Sequence, residues 1–209
     1  MRPCTCSQEH LRRRIVLTGG PGAGKTAFLE LVRQYFCEHM KVLPETASIL
    51  FSGGFPRGTS ADELRAAQRA IYYVQRELER AADTEGSPAI VLCDRGTVDG
   101  SAYWPGPGAL WDEVETEHRD ELARYDAVIH LRSPSTAHGY DLSNPVRTES
   151  AVEAARIDER ILRAWDEHPR RHVVESTTDF LAKLERAVGI LREEMPACCG
   201  PHLQPEGGQ

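Results

Sequence analysis

Short runs of apolar residues alternate with longer stretches of helical periodicity along the chain. Five runs predict strands: Arg14–Thr18, Lys41–Leu43, Ala89–Cys93, Ala127–Leu131 and His172–Glu175. The first run is continuously apolar at its centre, which is typical of a parallel strand covered on both faces. Strands that alternate with helices predict an α/β domain with a mostly parallel five-stranded sheet and right-handed crossovers.

The helical stretches between these strands have their own signals. Ser60 and Glu63 form an S-x-x-E capping box before a helix that we expect to reach about Ala82. A second helix is expected from about Lys25 to Glu38, and helical spacing recurs between residues 181 and 191. In the capped helix, apolar residues three and four apart predict a core-facing side without chemistry: Leu64, Ala67, Ile71, Val74, Leu78 and Ala81.

Length and charge narrow the class of protein. With 209 residues one domain is the default, and we expect it over 13–194, with flexible tails at 1–12 and 195–209. The 25 basic and 32 acidic side chains give a net charge of −7, which argues against a general nucleic-acid binder. Because no apolar run approaches the ~20 residues that span a bilayer, we expect a cytoplasmic protein without a membrane span.

Six cysteines raise the question of a metal. Cys37 and Cys93 lie in apolar runs and are expected to be buried free thiols. The other four lie at the two ends of the chain, beside two histidines: Cys4, Cys6, Cys198, Cys199, His10 and His202. They could bind zinc or iron if the termini met, but no C-x-x-C repeat sets a ligand spacing, and flexible tails are the favoured alternative.

Residues Gly19–Thr26 match G-x-x-x-x-G-K-[ST], the Walker A motif, between a predicted strand and a predicted helix. Its glycines let backbone N–H groups turn towards an anion at a helix N-terminus. Lys25 would reach the β- and γ-phosphates, and Thr26 would offer a hydroxyl to Mg²⁺. The motif resembles the P-loop NTPase superfamily and implies these nucleotide-binding residues: Gly20, Gly22, Ala23, Gly24, Lys25, Thr26 and Ala27.

The third predicted strand runs directly into Asp94 and Arg95. In the superfamily this is the Walker B position, which makes Asp94 a second candidate Mg²⁺ ligand. Arg95, Asp99 and the segment 102–104 (AYW) are similar to a segment of thymidylate and deoxynucleoside kinases. That similarity implies that they orient the phosphate acceptor and the transferred phosphate. The alternative is a solvated strand end with an incidental ion pair.

Glu45 follows the second predicted strand. The kinase resemblance implies a substrate-binding carboxylate or general base here, a role that depends more on position than on basicity. The alternative is an exposed loop residue or the start of a helix. The glycine-rich segment Gly53–Gly58 is expected to be a mobile substrate loop, with Arg57 as a further contact candidate.

The segment Arg132–Arg163 is expected to form a lid over the nucleotide. Arginines in such a segment neutralise charge on the transferred group, and Arg147 and Arg156 are the candidates for this role. Arg163 is assigned to the surface. The spacing from Arg156 to Arg163 equally suits a solvated helix face that pairs with nearby glutamates.

Over about 13–193 the chain resembles a small P-loop family that links bacterial nicotinamide riboside kinase domains with a GTP-binding channel-trafficking protein of animals, often described as AAA family ATPases. This implies a three-layer sandwich with a helical lid. It also implies an ATP- (or GTP-) and Mg²⁺-dependent phosphotransferase with a nucleoside- or nucleotide-like acceptor. The alternatives are a regulatory ATP/GTP-binding switch without an acceptor and a ring-forming remodelling ATPase. A guanine-specific N/TKxD motif is missing from the sequence, which specifies neither the acceptor nor the oligomeric state.

Overall fold

One parallel sheet organises the protein. A computed structural model describes Cys4, Cys6 and residues 10–85, 88–134 and 151–199. The strands lie in the order β2-β3-β1-β4-β5, and each described pair of neighbours is parallel. Their bounds are β1 Arg13–Thr18, β2 Met40–Leu43, β3 Ile90–Asp94, β4 Ala127–Leu131 and β5 Arg171–Val174. All five predicted strands are confirmed to within one residue at each end.

Within the described ranges, eight helices connect and cover these strands. The three helical stretches predicted from about Lys25, after Ser60 and between residues 181 and 191 are confirmed as helices. The short helices were not predicted, because four to seven residues are too few to show a period. The bounds are α1 Lys25–Tyr35, α2 Thr46–Ser52, α3 Ala61–Thr84, α4 Asp99–Tyr103, α5 Leu110–Glu113, α6 His118–Leu122, α7 Ala151–Ala164 and α8 Phe180–Glu194.

Side chains alternate across the central strand and supply two cores. Ile15 and Leu17 pack on one face with buried residues of α1 and α8. Val16 packs on the other face with Ile161 of α7 and with Trp165. Because successive residues of a strand point to opposite faces, β1 is buried on both sides. The predicted three-layer α/β sandwich is therefore confirmed.

The strand order brings the candidate residues to one edge of the sheet. In the parallel register Leu17 lies opposite Asp94 of β3, and Thr18 lies opposite His130 of β4. The loops that follow β1, β3 and β4 therefore leave the sheet side by side. Ligands of open α/β sheets bind at this carboxyl edge.

The buried face of α3 differs from the predicted one. Its buried residues are Ala67, Gln68, Tyr72, Gln75, Glu79 and Ala82. Of the predicted core positions, Leu64 and Leu78 are only half-buried and Ala81 is exposed. The polar side chains are accommodated because other parts of the chain supply partners, as when Glu79 accepts a hydrogen bond of 2.8 Å from the Tyr125 hydroxyl. The apolar spacing alone could not reveal those partners.

Parts of both predicted tails lie against the domain. Cys199 is fully buried, with its Sγ 3.3 Å from the Sγ of Cys37. The backbone N–H of Cys4 donates to Glu38 at 3.0 Å. Cysteine side chains are apolar enough to pack into a core in this way. Cys37 and Cys93 are confirmed as buried free thiols. No described helix has both the length and the apolar character needed to cross a bilayer.

Candidate functional site

The glycine-rich turn between β1 and α1, residues Gly19–Thr26, is called here the phosphate loop. Gly19 has a φ of +134°, and a Cβ added to it would lie 2.0 Å from the carbonyl oxygen of Leu131. Gly24 has a φ of +96°, and its Cβ would lie 2.7 Å from the Phe180 ring. Both positions therefore require glycine, for backbone conformation and for space.

Lys25 lies folded back over this loop. Its Nζ donates to the carbonyl oxygens of Gly19 and Gly20, at 2.9 and 3.1 Å. Burial, together with the nearby positive charge of Arg95, lowers the pKa of Lys25 to about 8 against the opposing effect of Asp94. The ammonium is thus incompletely compensated by the protein, and a bound anion would compensate it.

The carboxylate of Asp158 on α7 anchors the phosphate loop from one side. Its Oδ1 accepts the Gly20 N–H at 2.8 Å and lies 2.9 Å from Nε2 of His130. Its Oδ2 lies 3.0 Å from Nε of Arg132. The Gly20 N–H, predicted to bind phosphate, is therefore already bonded to Asp158. Nothing in the sequence pattern indicated this contact.

Lys183 on α8 supports the loop from the other side. Its Nζ donates to the carbonyl oxygens of Ala23, at 2.8 Å, and of Arg132, at 2.5 Å. The side chain is buried, and burial lowers its pKa to about 8. Lys183 was not among the predicted site residues. The available signal was its rarity, because only three of the 25 basic residues are lysines.

Asp94 ends β3 beside the start of the phosphate loop. Its Oδ1 is buried and accepts no hydrogen bond from any described residue. Burial raises its pKa to about 6, although Lys25 acts in the opposite direction. Carboxylate and hydroxyl oxygens are the ligand types that Mg²⁺ takes in nucleotide sites, so the unpartnered oxygen and the exposed hydroxyl of Thr26 fit a Mg²⁺ ion.

Arg95 joins the two loops that follow β2 and β3. Its Nε lies 2.7 Å from Oε1 of Glu45, and its Nη1 lies 3.0 Å from Oδ1 of Asp99. Arg95 has a φ of +71°, a strained conformation for a residue with a side chain. Asp99 also accepts from the Gly96 N–H and from Trp165 Nε1, both at 3.1 Å. Glu45, Arg95 and Asp99 therefore belong to one partly buried network.

Glu45 immediately precedes α2, and its carboxylate faces the same network. Its Oε2 accepts the Ser48 hydroxyl at 2.5 Å, and its Oε1 is bound by Arg95. Burial would raise the pKa of Glu45, but Arg95, Ser48 and Lys25 together hold that pKa below its ordinary value. Glu45 is therefore ionised at neutral pH and fixed in position. It is both the start of a helix and a member of the site.

A cavity of about 270 Å³ adjoins this network, with Pro21 of the phosphate loop at its margin. The guanidinium of Arg57 lies 4.3 Å above the centre of the Phe51 ring. Phe51 and Gln68 were not among the predicted site residues, since Gln68 does not belong to the apolar positions that defined the expected core side of α3. The lining of the cavity includes Glu45, Phe51, Arg57, Gln68, Arg95 and Tyr103.

The predicted lid arginines do not join this constellation in the described structure. Arg147 lies outside the described residues. Arg156 is exposed, and it precedes Asp158 by two residues, which places the two side chains on nearly opposite sides of α7. Since Asp158 faces the phosphate loop, the Arg156 side chain points away from that loop. Arg163 lies on the surface as predicted, 3.6 Å from Glu159.

Comparison with known proteins gives a family for the chain. A family model described as an AAA domain matches residues 14–183. A search of curated protein sequences gave no match.

Solved structures share the fold at low identity. The deoxyadenosine kinase of M. mycoides with bound dATP has a TM-score of 0.59 at 13% identity, covering 87% of this chain and 100% of that one. NadR in complex with NR has a TM-score of 0.66 at 16% identity, covering 89% of this chain and 52% of NadR. The thymidylate kinase of Candida albicans has a TM-score of 0.53 at 13% identity, covering 88% and 94%. The chain thus shares the fold of these three proteins and spans about half the length of NadR.

Proposed function

Because the chain belongs to the AAA domain family, we propose that it is a P-loop phosphotransferase that uses ATP and Mg²⁺ to phosphorylate a nucleoside- or nucleotide-like hydroxyl compound. One observation carries the proposal: the cavity lined by Glu45 and Arg95 opens beside the phosphate loop. An acceptor held there would lie next to the phosphate that the loop binds. A protein that only binds and hydrolyses a nucleotide does not need such a cavity.

The phosphate loop would hold the nucleoside triphosphate through its backbone N–H groups and the N-terminus of α1. Lys25 would exchange its contacts with two loop carbonyl oxygens for phosphate oxygens. Mg²⁺, held by the Thr26 hydroxyl and the Asp94 carboxylate, would supply further positive charge at the phosphates. Lys183 and Asp158 would hold the loop in place from its two sides.

The cavity offers groups suited to a nucleoside or nucleotide. Phe51 supplies an aromatic ring, Gln68 an amide, and Arg57 a positive charge. Planar rings stack on aromatic side chains, and an amide can both donate to and accept from a base edge. The neighbours with the same fold include proteins in complex with dATP and NR. These features together support the acceptor class.

Glu45 would accept the hydrogen bond, and then the proton, of the acceptor hydroxyl. It is ionised and held 2.7 Å from Nε of Arg95. Arg95 would stabilise negative charge on the transferred group while keeping Glu45 oriented. Because phosphoryl transfer proceeds through a loose transition state, a correctly placed carboxylate suffices even when it is weakly basic. Arg95 is therefore proposed as catalytic together with Glu45, Lys25 and Asp94.

The deciding experiment is transfer from labelled ATP or GTP to a panel of nucleosides, nucleotides and pyridine ribosides. One class should be phosphorylated, and Glu45→Gln should lower kcat/KM for that acceptor by about 10²–10⁴-fold, the usual contribution of a positioned acid–base group. Nucleotide affinity should hardly change. Glu77→Gln, an exposed glutamate on α3, is the matched control and should transfer at the wild-type rate.

A regulatory switch predicts a different outcome of the same assay. No member of the panel would be phosphorylated, and slow hydrolysis of the nucleotide would be insensitive to Glu45→Gln. That result would overturn the proposed transferase and favour the alternative of a nucleotide-dependent switch. Transfer at the wild-type rate by Glu45→Gln would remove Glu45 from the catalytic residues.

A further inference from the structure

Seven cysteine and histidine side chains collect where both ends of the chain meet the connection between α1 and β2. This cluster lies at the end of α1 remote from the phosphate loop, and the phosphotransferase proposal does not use it. The two termini contribute side chains that are separated by almost the whole length of the sequence. The members are Cys4, Cys6, His10, Cys37, His39, Cys198 and Cys199.

Four of these side chains form an inner group: Cys4, Cys37, His39 and Cys199. Each offers one ligand atom, and these atoms all lie within 4.8 Å of one another. The Sγ of Cys199 lies 3.3 Å from Sγ of Cys37 and 3.2 Å from Nδ1 of His39. Cys37, His39 and Cys199 are buried, whereas Cys4 is partly exposed.

These separations suit a tetrahedral zinc ion. Zinc binds cysteine sulfur at about 2.3 Å and histidine nitrogen at about 2.0–2.1 Å. The edges of a tetrahedron with such bonds are about 3.4–3.8 Å long. The distance of 3.7 Å between Cys37 Sγ and His39 Nδ1 lies in that range. The distances of 3.3 and 3.2 Å from Cys199 Sγ to Cys37 Sγ and to His39 Nδ1 are slightly shorter. A central ion would therefore need only small shifts of the side chains.

The outer group shares His39 and adds Cys6, His10 and Cys198. Nε2 of His10 lies 3.4 Å from Sγ of Cys6 and 3.3 Å from Sγ of Cys198. Those three side chains are partly exposed, whereas His39 directs Nδ1 towards two buried sulfurs of the inner group. Burial excludes competing water, and this observation selects the inner group.

We propose that Cys4, Cys37, His39 and Cys199 bind one Zn²⁺ ion in a closed structural site. Three thiolates and one imidazole make a soft, tetrahedral donor set, which favours zinc over magnesium or calcium. Each cysteine releases its thiol proton on binding, and no electron is transferred. Four protein ligands leave no open position for a substrate, so the ion would act as a structural cross-link. It ties the N-terminus and the C-terminal segment to residues 37–39.

Zinc content and affinity test the proposal on the full chain, prepared without chelators and without a polyhistidine tag. Elemental analysis should give about one zinc per chain, and a chelator should lower the thermal unfolding midpoint. Cys4→Ser should weaken zinc affinity, measured by competition with a chromogenic chelator, by more than the roughly 10–100-fold that loss of an outer-sphere partner causes. Cys4 is chosen because it is partly exposed near the chain end, so this variant should fold.

Two matched controls identify the ligand set. Cys6→Ser removes a neighbouring thiol of the outer group, and Cys93→Ala removes a buried thiol of the other core. Both should keep zinc affinity within about tenfold of the wild type, below the effect of a lost ligand. A Co²⁺-substituted protein should show the thiolate charge-transfer absorption and the visible bands of tetrahedral cobalt, and Cys4→Ser should weaken both.

Three results would overturn the proposal. The first is folded protein without zinc that also fails to bind Co²⁺. The second is loss of zinc from Cys6→Ser with retention in Cys4→Ser, which would place an ion in the outer group. The third is a disulfide between Cys37 and Cys199 in protein purified under reducing conditions. None of these results bears on phosphotransfer, so this proposal and the previous one can fail separately.

Discussion

Two clusters of buried charged side chains in this protein differ in how completely the protein itself hydrogen-bonds them. At the phosphate loop, Oδ1 of Asp94 has no hydrogen-bond donor among the described residues, and burial shifts the pKa values of Asp94 and Lys25. Beneath α3, the carboxylate of Glu79 accepts from Gln75 Nε2 at 2.9 Å and from the Tyr125 hydroxyl at 2.8 Å, and it also pairs with Arg124. We call this second group, centred on Glu79 and Glu121, the polar cluster.

In the polar cluster, both carboxylate oxygens of Glu121 also have hydrogen-bond donors. Its Oε1 accepts from the Tyr72 hydroxyl at 2.8 Å and from Arg76 at 3.0 Å. Its Oε2 accepts from the Thr97 hydroxyl at 2.7 Å. The carboxylate is almost completely buried, yet the chain itself supplies donors to both oxygens.

The difference separates a structural role from a binding role. A buried charge lowers stability unless it is paired and hydrogen-bonded. In the polar cluster the chain supplies the compensation, so the charges support the native state. At the phosphate loop the compensation is incomplete, and a bound nucleotide with its metal would complete it. Stability and function therefore depend on different buried charges.

The largest expected effect concerns the polar cluster. Glu79→Ala removes the buried carboxylate that pairs with Arg124 and accepts from the Tyr125 hydroxyl, and Arg124 then keeps only its contact of 3.3 Å with Glu121 among its described carboxylate partners. Breaking a buried pair in this way costs about 3–5 kcal/mol of unfolding free energy. Urea denaturation measures the loss. Glu77→Ala, two residues earlier and exposed, is the control and should change stability by less than about 0.5 kcal/mol. If Glu79→Ala lowered the unfolding free energy by less than about 1 kcal/mol, the polar cluster would not have the structural role that distinguishes it from the phosphate loop.

Lys25→Ala should impair function without lowering the stability of the ligand-free protein. Loss of a preorganised positive charge at the phosphates should lower kcat/KM by about 10²–10³-fold and weaken nucleotide binding. The unfolding free energy of the ligand-free protein should be unchanged or higher, because a desolvated ammonium is removed. Lys41→Ala is the control, since Lys41 pairs with Glu85 far from the loop. Wild-type turnover and affinity in Lys25→Ala would contradict the assignment of the phosphate loop.

Asp94→Asn should stabilise the ligand-free protein while it impairs function. A carboxyl group whose pKa is raised from 3.8 to about 6 binds its proton more tightly in the folded state, so its contribution to stability falls as pH rises through that range. Above pH 6 the ionised group should cost roughly 2–3 kcal/mol, which asparagine avoids. The gain in stability should be smaller than this figure, because Asp94→Asn also removes the negative charge that stabilises the Lys25 ammonium.

Urea denaturation of ligand-free wild type and Asp94→Asn between pH 4 and pH 8 measures the effect. The two proteins should be similarly stable near pH 4, should diverge between pH 4 and pH 6, and should differ by a constant amount above about pH 6. In parallel, Mg²⁺-dependent turnover should fall far more than metal-free nucleotide binding. A variant that is less stable than wild type at pH 8, with equal losses in both assays, would show that Asp94 supports the fold.

Local patterns in the sequence were sufficient for much of the fold and part of the site. The five strands and the long helices follow from apolar runs and periodicity, and the Ser60–Glu63 capping box forms as predicted. Gly19–Thr26 could be assigned because neighbouring backbone groups make the loop. Glu45 and Asp94 could be proposed because each follows a recognisable strand, and the parallel order brings such positions together.

Tertiary structure alone decided which distant polar groups meet. Asp158 binds the Gly20 N–H across 138 positions, and Lys183 reaches Ala23 across 160. Cys199 meets Cys37 across 162 positions. The buried side of α3 likewise depends on partners from other elements. Periodicity shows whether one side of a helix or strand is apolar. A buried polar side chain, however, is stable only if the folded chain places a hydrogen-bond or ion-pair partner beside it. The spacing of residues along the sequence does not specify that partner.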